Sequence, residues 1–392
     1  MKKAIGFTIA TALVVAAFSE YGSLNANAAS VSKKASSPIV INFYSVAGTD
    51  QFYQGMLIPM FEKATGGKYI VNYGRGNWQD IVNKIKAEGN NVSIDVVASG
   101  IDGVPGGAKA GVWTKLIPQY SKQVGYNNLT DLGKAYVKAY NGYGVPLEVT
   151  LSGPDLAYNA SAVPNPPTTF AALKSWISSH PNKFQYATVP TSGPGRGFFF
   201  GVVQSQGENP NSINNLGKTW NYLKQIGNNI SAYPSSTSDT FTVLNNGTVD
   251  IIPHMPGWFA TLYAQGQIPP NVKLVPMKGV KQIIDSQFYC IPKGLSKTQM
   301  NAALTFVHFA MSAQADAQIY TQMYLPTNKF SNVNMLSGTN KQQYLTGLKA
   351  IPSEFKKGNQ LIVPKNDWIL FPPTNTLLYE YNTWTQMIQG AK

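Results

Sequence analysis

Ile39-Val40-Ile41-Asn42-Phe43-Tyr44, Tyr69-Ile70-Val71-Asn72-Tyr73 and Ser93-Ile94-Asp95-Val96-Val97-Ala98 are three runs rich in apolar β-branched residues, separated by two stretches of helical periodicity. Each run reads as a strand. In the first intervening stretch, Phe52, Met56 and Met60, with Leu57 and Phe61, recur at i+4 behind Gly48-Thr49-Asp50, which can cap a helix. Pro59 predicts a kink there, because its ring lacks an N–H and crowds the preceding turn. In the second, Asn77 stands as N-cap with Asp80 three residues on, ahead of Ile81, Val82 and Ile85. Strand, helix, strand, helix, strand at these spacings implies right-handed crossovers and a mainly parallel sheet.

Outward from this block the alternation breaks between Tyr143 and Asn159, an extended run that contains Pro146 and Pro154. A second series follows. A helix beginning near Pro167-Thr168 carries Phe170, Leu173, Trp176 and Ile177; Tyr186 to Val189 reads as a strand, and another helix is expected beyond Gly197. Val249 to Ile252 and Val272 to Val275 are further strands, and Gln287 to Pro292 leads into helix-rich sequence including Met300 to Met323. The expected fold class is α/β: two lobes, each a mainly parallel sheet flanked by helices, joined by hinge strands. Lobe 1 begins with residues 39–147, lobe 2 spans 148–285, and 286–392 return through the hinge. The C-terminal helices complete lobe 1, with packing on lobe 2 left open.

Lys2 and Lys3 precede an apolar stretch from Ala4 to Phe18, and Ala26-Asn27-Ala28 is a small-x-small pattern. Residues 1–28 therefore read as a secretory signal peptide, and 29–38 as a flexible leader. An uncleaved anchor is the alternative. With no cysteine near the cleavage site, anchoring through an N-terminal lipidated cysteine is not expected. The single cysteine, Cys290, precludes an internal disulfide and reads as a small buried hydrophobe.

The 392 residues are 43% hydrophobic and 12% charged, which excludes a disordered chain and fits about two domains. The net charge of +13 admits anionic partners, but no run of five basic residues exists, and nucleic acid is not expected. His180, His254 and His308 are far apart, and neither a His-Glu-x-x-His motif nor a phosphate loop nor a Gly-x-Ser-x-Gly elbow is present. His308, among Phe306, Val307 and Phe309, reads as a core residue. Neither catalysis nor a cofactor or metal is expected.

What remains are small polar turns where strands hand over to helices. In open α/β sheets such junctions line a crevice with backbone N–H groups and helix N-termini. Ser45, Gly48 and Thr49 follow the first strand, and Ser99 and Gly100 follow the third. Thr191-Ser192-Gly193-Pro194-Gly195-Arg196-Gly197 follows Val189; there Ser192 offers a hydroxyl, Gly193 a close backbone approach, and Arg196 a planar fork for an anion. The alternative is a helix-capping turn with a solvated arginine.

Several segments resemble the substrate-binding proteins of ABC importers, in particular the extracellular solute-binding group that includes polyamine, ferric-iron and thiamine binders. They are Phe43-Tyr44-Ser45 with Phe61-Glu62-Lys63, Ile94 to Val97, Tyr143-Gly144-Val145-Pro146 leading to Ala157-Tyr158-Asn159, Pro167 to Phe170, Asn246 to Asp250, and Pro326-Thr327-Asn328. The resemblance implies a binding protein that is exported to the periplasm or the extracellular side of the membrane. It would act as a monomer, capturing a small molecule by hinge closure and docking on a permease with its ATPase. The resemblance also places Trp258 facing the cleft; Trp78 opens the helix after the second strand, and either indole could stack on a ligand or pack in the core. No acid neighbours Trp258, so a polyamine is disfavoured, with Glu148 arguing otherwise. Tyr320 and Tyr324, four apart, fit packing better than a ferric-iron tyrosine pair. The expected solute is small, polar and anionic or zwitterionic. The alternative is a secreted carbohydrate-active enzyme or carbohydrate-binding protein.

Overall fold

The computed structural model describes residues 37–46, 49–212, 215–364, 367–372 and 374–391. The signal-peptide segment, most of the leader, and Gly48 lie outside the described residues. Strands β1 (Ile39–Ser45), β2 (Tyr69–Arg75) and β3 (Val96–Gly100) form the expected parallel nucleus, with Ile39 opposite Tyr69 and Phe43 opposite Val96. Ile41 and Phe43 bury themselves against the helix Lys297–Ala310, where Phe306 meets Phe43 and Phe61. β3 starts three residues later than the sequence suggests. The Asp95 carboxylate accepts the Asn42 N–H at 2.7 Å, so a side chain replaces the ladder bond there.

The helical run from Asp50 to Ala64 is continuous, and the irregularity expected at Pro59 takes the form of a π-turn, Tyr53–Leu57, just ahead of it, where the Ile58 N–H reaches back to the Tyr53 carbonyl.

The extended run becomes β4 (Val145–Leu151) and β5 (Asp155–Asn159), and every residue of β4 is buried. After β6 (Ile251–His254) and β7 (Val272–Pro276), the long strand β8 (Gln282–Cys290) pairs antiparallel with both β3 and β4. Trp368–Leu370 adds a parallel strand beside the first part of β8. The lobe 2 sheet, ordered β6-β5-β7, corrects the expectation of a mainly parallel arrangement, because β5 is antiparallel to both neighbours. β5 arrives straight from β4 across the hinge, without the helical crossover that returns a chain in the same direction.

Tyr186 to Val189 is not a strand. Only Phe184 bridges to Ile251, after which the Thr188 N–H turns to the Pro234 carbonyl and Tyr186 buries its ring beside Phe198 and Trp384. Met300 to Met323 is broken after Ala310 and passes through a 3-10 turn, Ala317–Gln322, to Met323 at φ 54°. The C-terminal helix Thr374–Trp384 lies against the second series: Trp384 Nε1 donates to the Tyr186 hydroxyl at 3.1 Å, and its ring meets Tyr233 edge-on. Among the described residues, no helix is long and apolar enough to cross a membrane.

Candidate functional site

A crevice of about 590 Å³ opens over the β4–β8 pair. Its floor follows from the strand register. Glu148 stands opposite Gln287 and Thr150 opposite Asp285, so these four side chains share one face of an antiparallel pair. A register shift between Pro146 and Glu148 sets their phase. One wall comes from lobe 1: Val46, Asn77, Trp78 and the Gly100–Gly103 turn. The other comes from lobe 2: Pro190, Thr191, Gly193, Arg196 and Met255, with Tyr324 closing a side.

Two close approaches shape these walls. A Cβ on Gly106 would lie 2.5 Å from the Trp78 ring, so the indole sits directly on the glycine-rich helix Gly103–Lys109. A Cβ on Gly197 would lie 1.9 Å from the Ser152 carbonyl, so the helix carrying Arg196 presses on the hinge itself.

Of the residues singled out in the sequence, Trp78, Gly100, Glu148, Gly193 and Arg196 line the crevice. Ser45, Thr49, Ser99, Ser192 and Trp258 do not. Ser45 and Ser99 are fully buried at strand ends, Ser99 tight against the Gly103 backbone, and Thr49 is buried beside them. Ser192 caps the helix Gly193–Ser205, accepting the Gly195 N–H at 3.2 Å, and bonds Thr237 at 2.8 Å. Trp258 packs its half-buried indole against two apolar clusters.

Sequence reasoning missed Asp102, Thr150, Asp285, Gln287 and Tyr324. Asp102 lies two residues past the Ser99-Gly100 junction, and the Asp285-Ser286-Gln287 alternation places its polar ends on one strand face; both were findable signals. Tyr320 stacks edge-on against Tyr344, whereas Tyr324 reaches the crevice, so the two tyrosines part company.

The lining holds three acids, Asp102, Glu148 and Asp285, against one base, Arg196. Arg196 is only 16% exposed and approaches Asp102 across the crevice at 3.6 Å, linking the two walls. Burial works against its charge, but Tyr381, Asp102 and Asp285 together hold its pKa above the usual value. Burial lifts the Asp102 and Asp285 carboxyls, with Arg196 opposing in both cases. Burial and then Asp285 push Glu148 well above the carboxylate range. Asp102 Oδ1, Glu148 Oε2, Thr150 Oγ1 and Gln287 Oε1 are buried and have no hydrogen-bond partner among the described residues. Three acceptors and one hydroxyl left so around one crevice are an unmet demand chiefly for donors, since an unpaired buried polar atom costs about 1–3 kcal/mol.

Other candidate chemistry falls away. Cys290 is fully buried, and burial pushes its thiol pKa up. His254 is buried and its pKa is pushed down to about 4 by that burial, while His180 stacks on Trp176. His308 is exposed, not core as expected, because it lies in the last turn of its helix and reaches the Gln123 carbonyl at 2.9 Å. Among the described residues, no group of three or more His, Cys, Asp or Glu side chains is placed to hold a metal ion.

Two α/β lobes joined by crossing strands, with an acceptor-rich crevice between them, define a binding protein of the periplasmic type. The family described as bacterial extracellular solute-binding protein matches residues 57–334, and the chain belongs to it. The structure is similar to that of an ABC transporter from Clostridium perfringens ATCC 13124 (16% identity, 89% of this chain and 99% of that one, TM-score 0.67). It is also similar to an ABC transporter substrate-binding protein from Bradyrhizobium japonicum USDA 110 (17% identity, 90% and 100%, TM-score 0.64). A spermidine/putrescine ABC transporter substrate-binding protein from Streptococcus pneumoniae gives 16% identity, 90% and 100% coverage, and a TM-score of 0.63. No curated protein matches the sequence. The chain is thus a solute-binding component of the ABC-transporter type. Its family and fold are those of binding proteins rather than enzymes, and the family's extracellular character implies an exported location.

Proposed function

We propose that the crevice captures a small solute carrying an ammonium or similar cationic nitrogen, alone or as part of a zwitterion. Three acids against one arginine, together with three unpartnered acceptors and an unpartnered hydroxyl, support this reading. An ammonium brings three N–H donors and a positive charge, which is what those atoms lack. Arg196, shared with Asp102, is left to greet a carboxylate at the far wall. The zwitterion of the sequence expectation is kept, and a purely anionic solute is set aside: the +13 charge belongs to the whole chain, whereas the crevice lining is acidic. The relative from Streptococcus pneumoniae is named for spermidine and putrescine, which agrees with this direction.

Capture proceeds by closure of the two walls about β4 and β8, near residues 146–152 and 286–292, because a solute touching both walls stabilises the closed form. The loaded protein then meets a membrane permease with its ATPase; it works as a monomer. Thermal-shift screening of alkylamines, diamines, amino acids, dicarboxylates and phosphonates tests the charge assignment, since a ligand raises stability by RT ln(1 + [L]/Kd). Amines or amino acids should raise the melting temperature. A rise with dicarboxylates or phosphonates alone would reject the reading.

A further inference from the structure

Glu148 and Asp285 occupy the same face of neighbouring strands, one register step apart on the diagonal. Glu148 is 2% exposed; the Gln287 N–H serves one side of its carboxyl and its Oε2 has no partner. The charged group acting on it is Asp285, an anion, and the buried Tyr53, Tyr136, Tyr289 and Tyr324 feel the charge of Glu148. Asp285 accepts the Ser286 N–H at 2.8 Å and feels Arg196 and Asp102, with Tyr136, Tyr140, Tyr324 and Tyr381 around it. One guanidinium therefore serves Asp285 and Asp102, and among the described residues no cation serves Glu148. Two neighbouring carboxylates with too little compensating charge do not both stay ionised in a buried site.

Resting on the cationic reading of the crevice, we propose that the empty site holds one proton on the Glu148–Asp285 pair and that the solute's ammonium displaces it, so that capture releases a proton. The O–H bond of the carboxylic acid breaks, its proton passes to water or buffer, and no electrons are transferred. The ammonium N–H groups then donate to the freed Glu148 carboxylate, the Gln287 Oε1 and the Thr150 Oγ1. The pair acts as the charge selector of the crevice: a neutral isostere of the solute meets an acid that has no reason to ionise. Capture also weakens in acid, with Kd rising about tenfold per pH unit wherever one whole proton is exchanged.

The test is calorimetric titration of the full chain at pH 7 with n-butylammonium, 1,4-diaminobutane and 4-aminobutyrate, in phosphate and in Tris. These buffers differ in ionisation enthalpy, and the probes' amines stay charged at this pH, so a difference in heat counts protons lost by the protein. A probe that binds should release between about half a proton and one proton. In Glu148→Gln the release should fall to near zero and Kd should rise about tenfold or more. Binding with equal heats in both buffers overturns the proton exchange while leaving the cationic reading standing. Binding by none of the three probes overturns both. A second measurement needs no variant: adding a binding probe to the wild-type protein should remove the infrared intensity of one protonated carboxyl while leaving that of buried carboxyls elsewhere, such as Asp316, and a difference spectrum without that loss would equally sink the proposal.

Discussion

Asp316 and Glu148 are both buried carboxyls, and they could hardly be served more differently. Around Asp316 the chain from Thr327 to Ser331 wraps as a cradle, and the carboxylate accepts the Thr327 N–H at 3.3 Å, the Asn328 N–H at 2.9 Å and the Ser331 hydroxyl at 2.8 Å. Burial still lifts Asp316 to about 7, against those three bonds. Glu148 keeps one oxygen without any partner. Burial alone does not mark a site. A satisfied acid holds a loop in place; an unsatisfied one on a crevice floor waits for a ligand.

Three substitutions sharpen or break this contrast. Asp316→Ala strands the Thr327 and Asn328 N–H groups in the interior, while the Ser331 hydroxyl keeps the Ala313 carbonyl, and chemical denaturation should register a loss of roughly 2 kcal/mol or more. A loss below 1 kcal/mol would mean the cradle rearranges and the contrast is false. Arg196→Ala should weaken 4-aminobutyrate by about 1.5–3 kcal/mol while leaving n-butylammonium unharmed or improved, because only a carboxylate needs the guanidinium. Equal losses for both probes in calorimetry would refute that division of labour. Glu148→Gln should leave the fold intact and change stability in the favourable direction, since an amide is neutral without the proton that the buried carboxyl must take up on folding. A destabilisation matching that of Asp316→Ala would make Glu148 a structural acid after all.

The parallel nucleus was legible because its signal is local: three β-branched runs and two capped helices, each decided within about ten residues. Antiparallel β5 was not, since its direction depends on how the chain crosses the hinge. Tyr186 to Val189 misled for a related reason. Its Tyr186 is buried against Tyr233 and Trp384, far along the chain, and not by pairing with β6. The crevice divides the same way. Arg196 and Glu148 announce themselves as lone charges in otherwise uncharged stretches. Their companions Asp102 and Asp285 come from separate elements, and only the register of β4 with β8 brings Asp285 beside Glu148. Ser192 shows the opposite error, a residue of binding type spent on capping its own helix.

Strand β8 carries one consequence for how the molecule melts. Its later residues lie between β3 and β4, while its earlier ones lie between β4 and Trp368–Leu370. A single ribbon of chain is thus sewn into the sheet along its whole length, from the second lobe's border to the heart of the first. Heating cannot peel the two lobes apart one after the other without tearing that seam, so calorimetric unfolding should be one cooperative event, and the β8 amides should be among the last to trade their hydrogens with solvent.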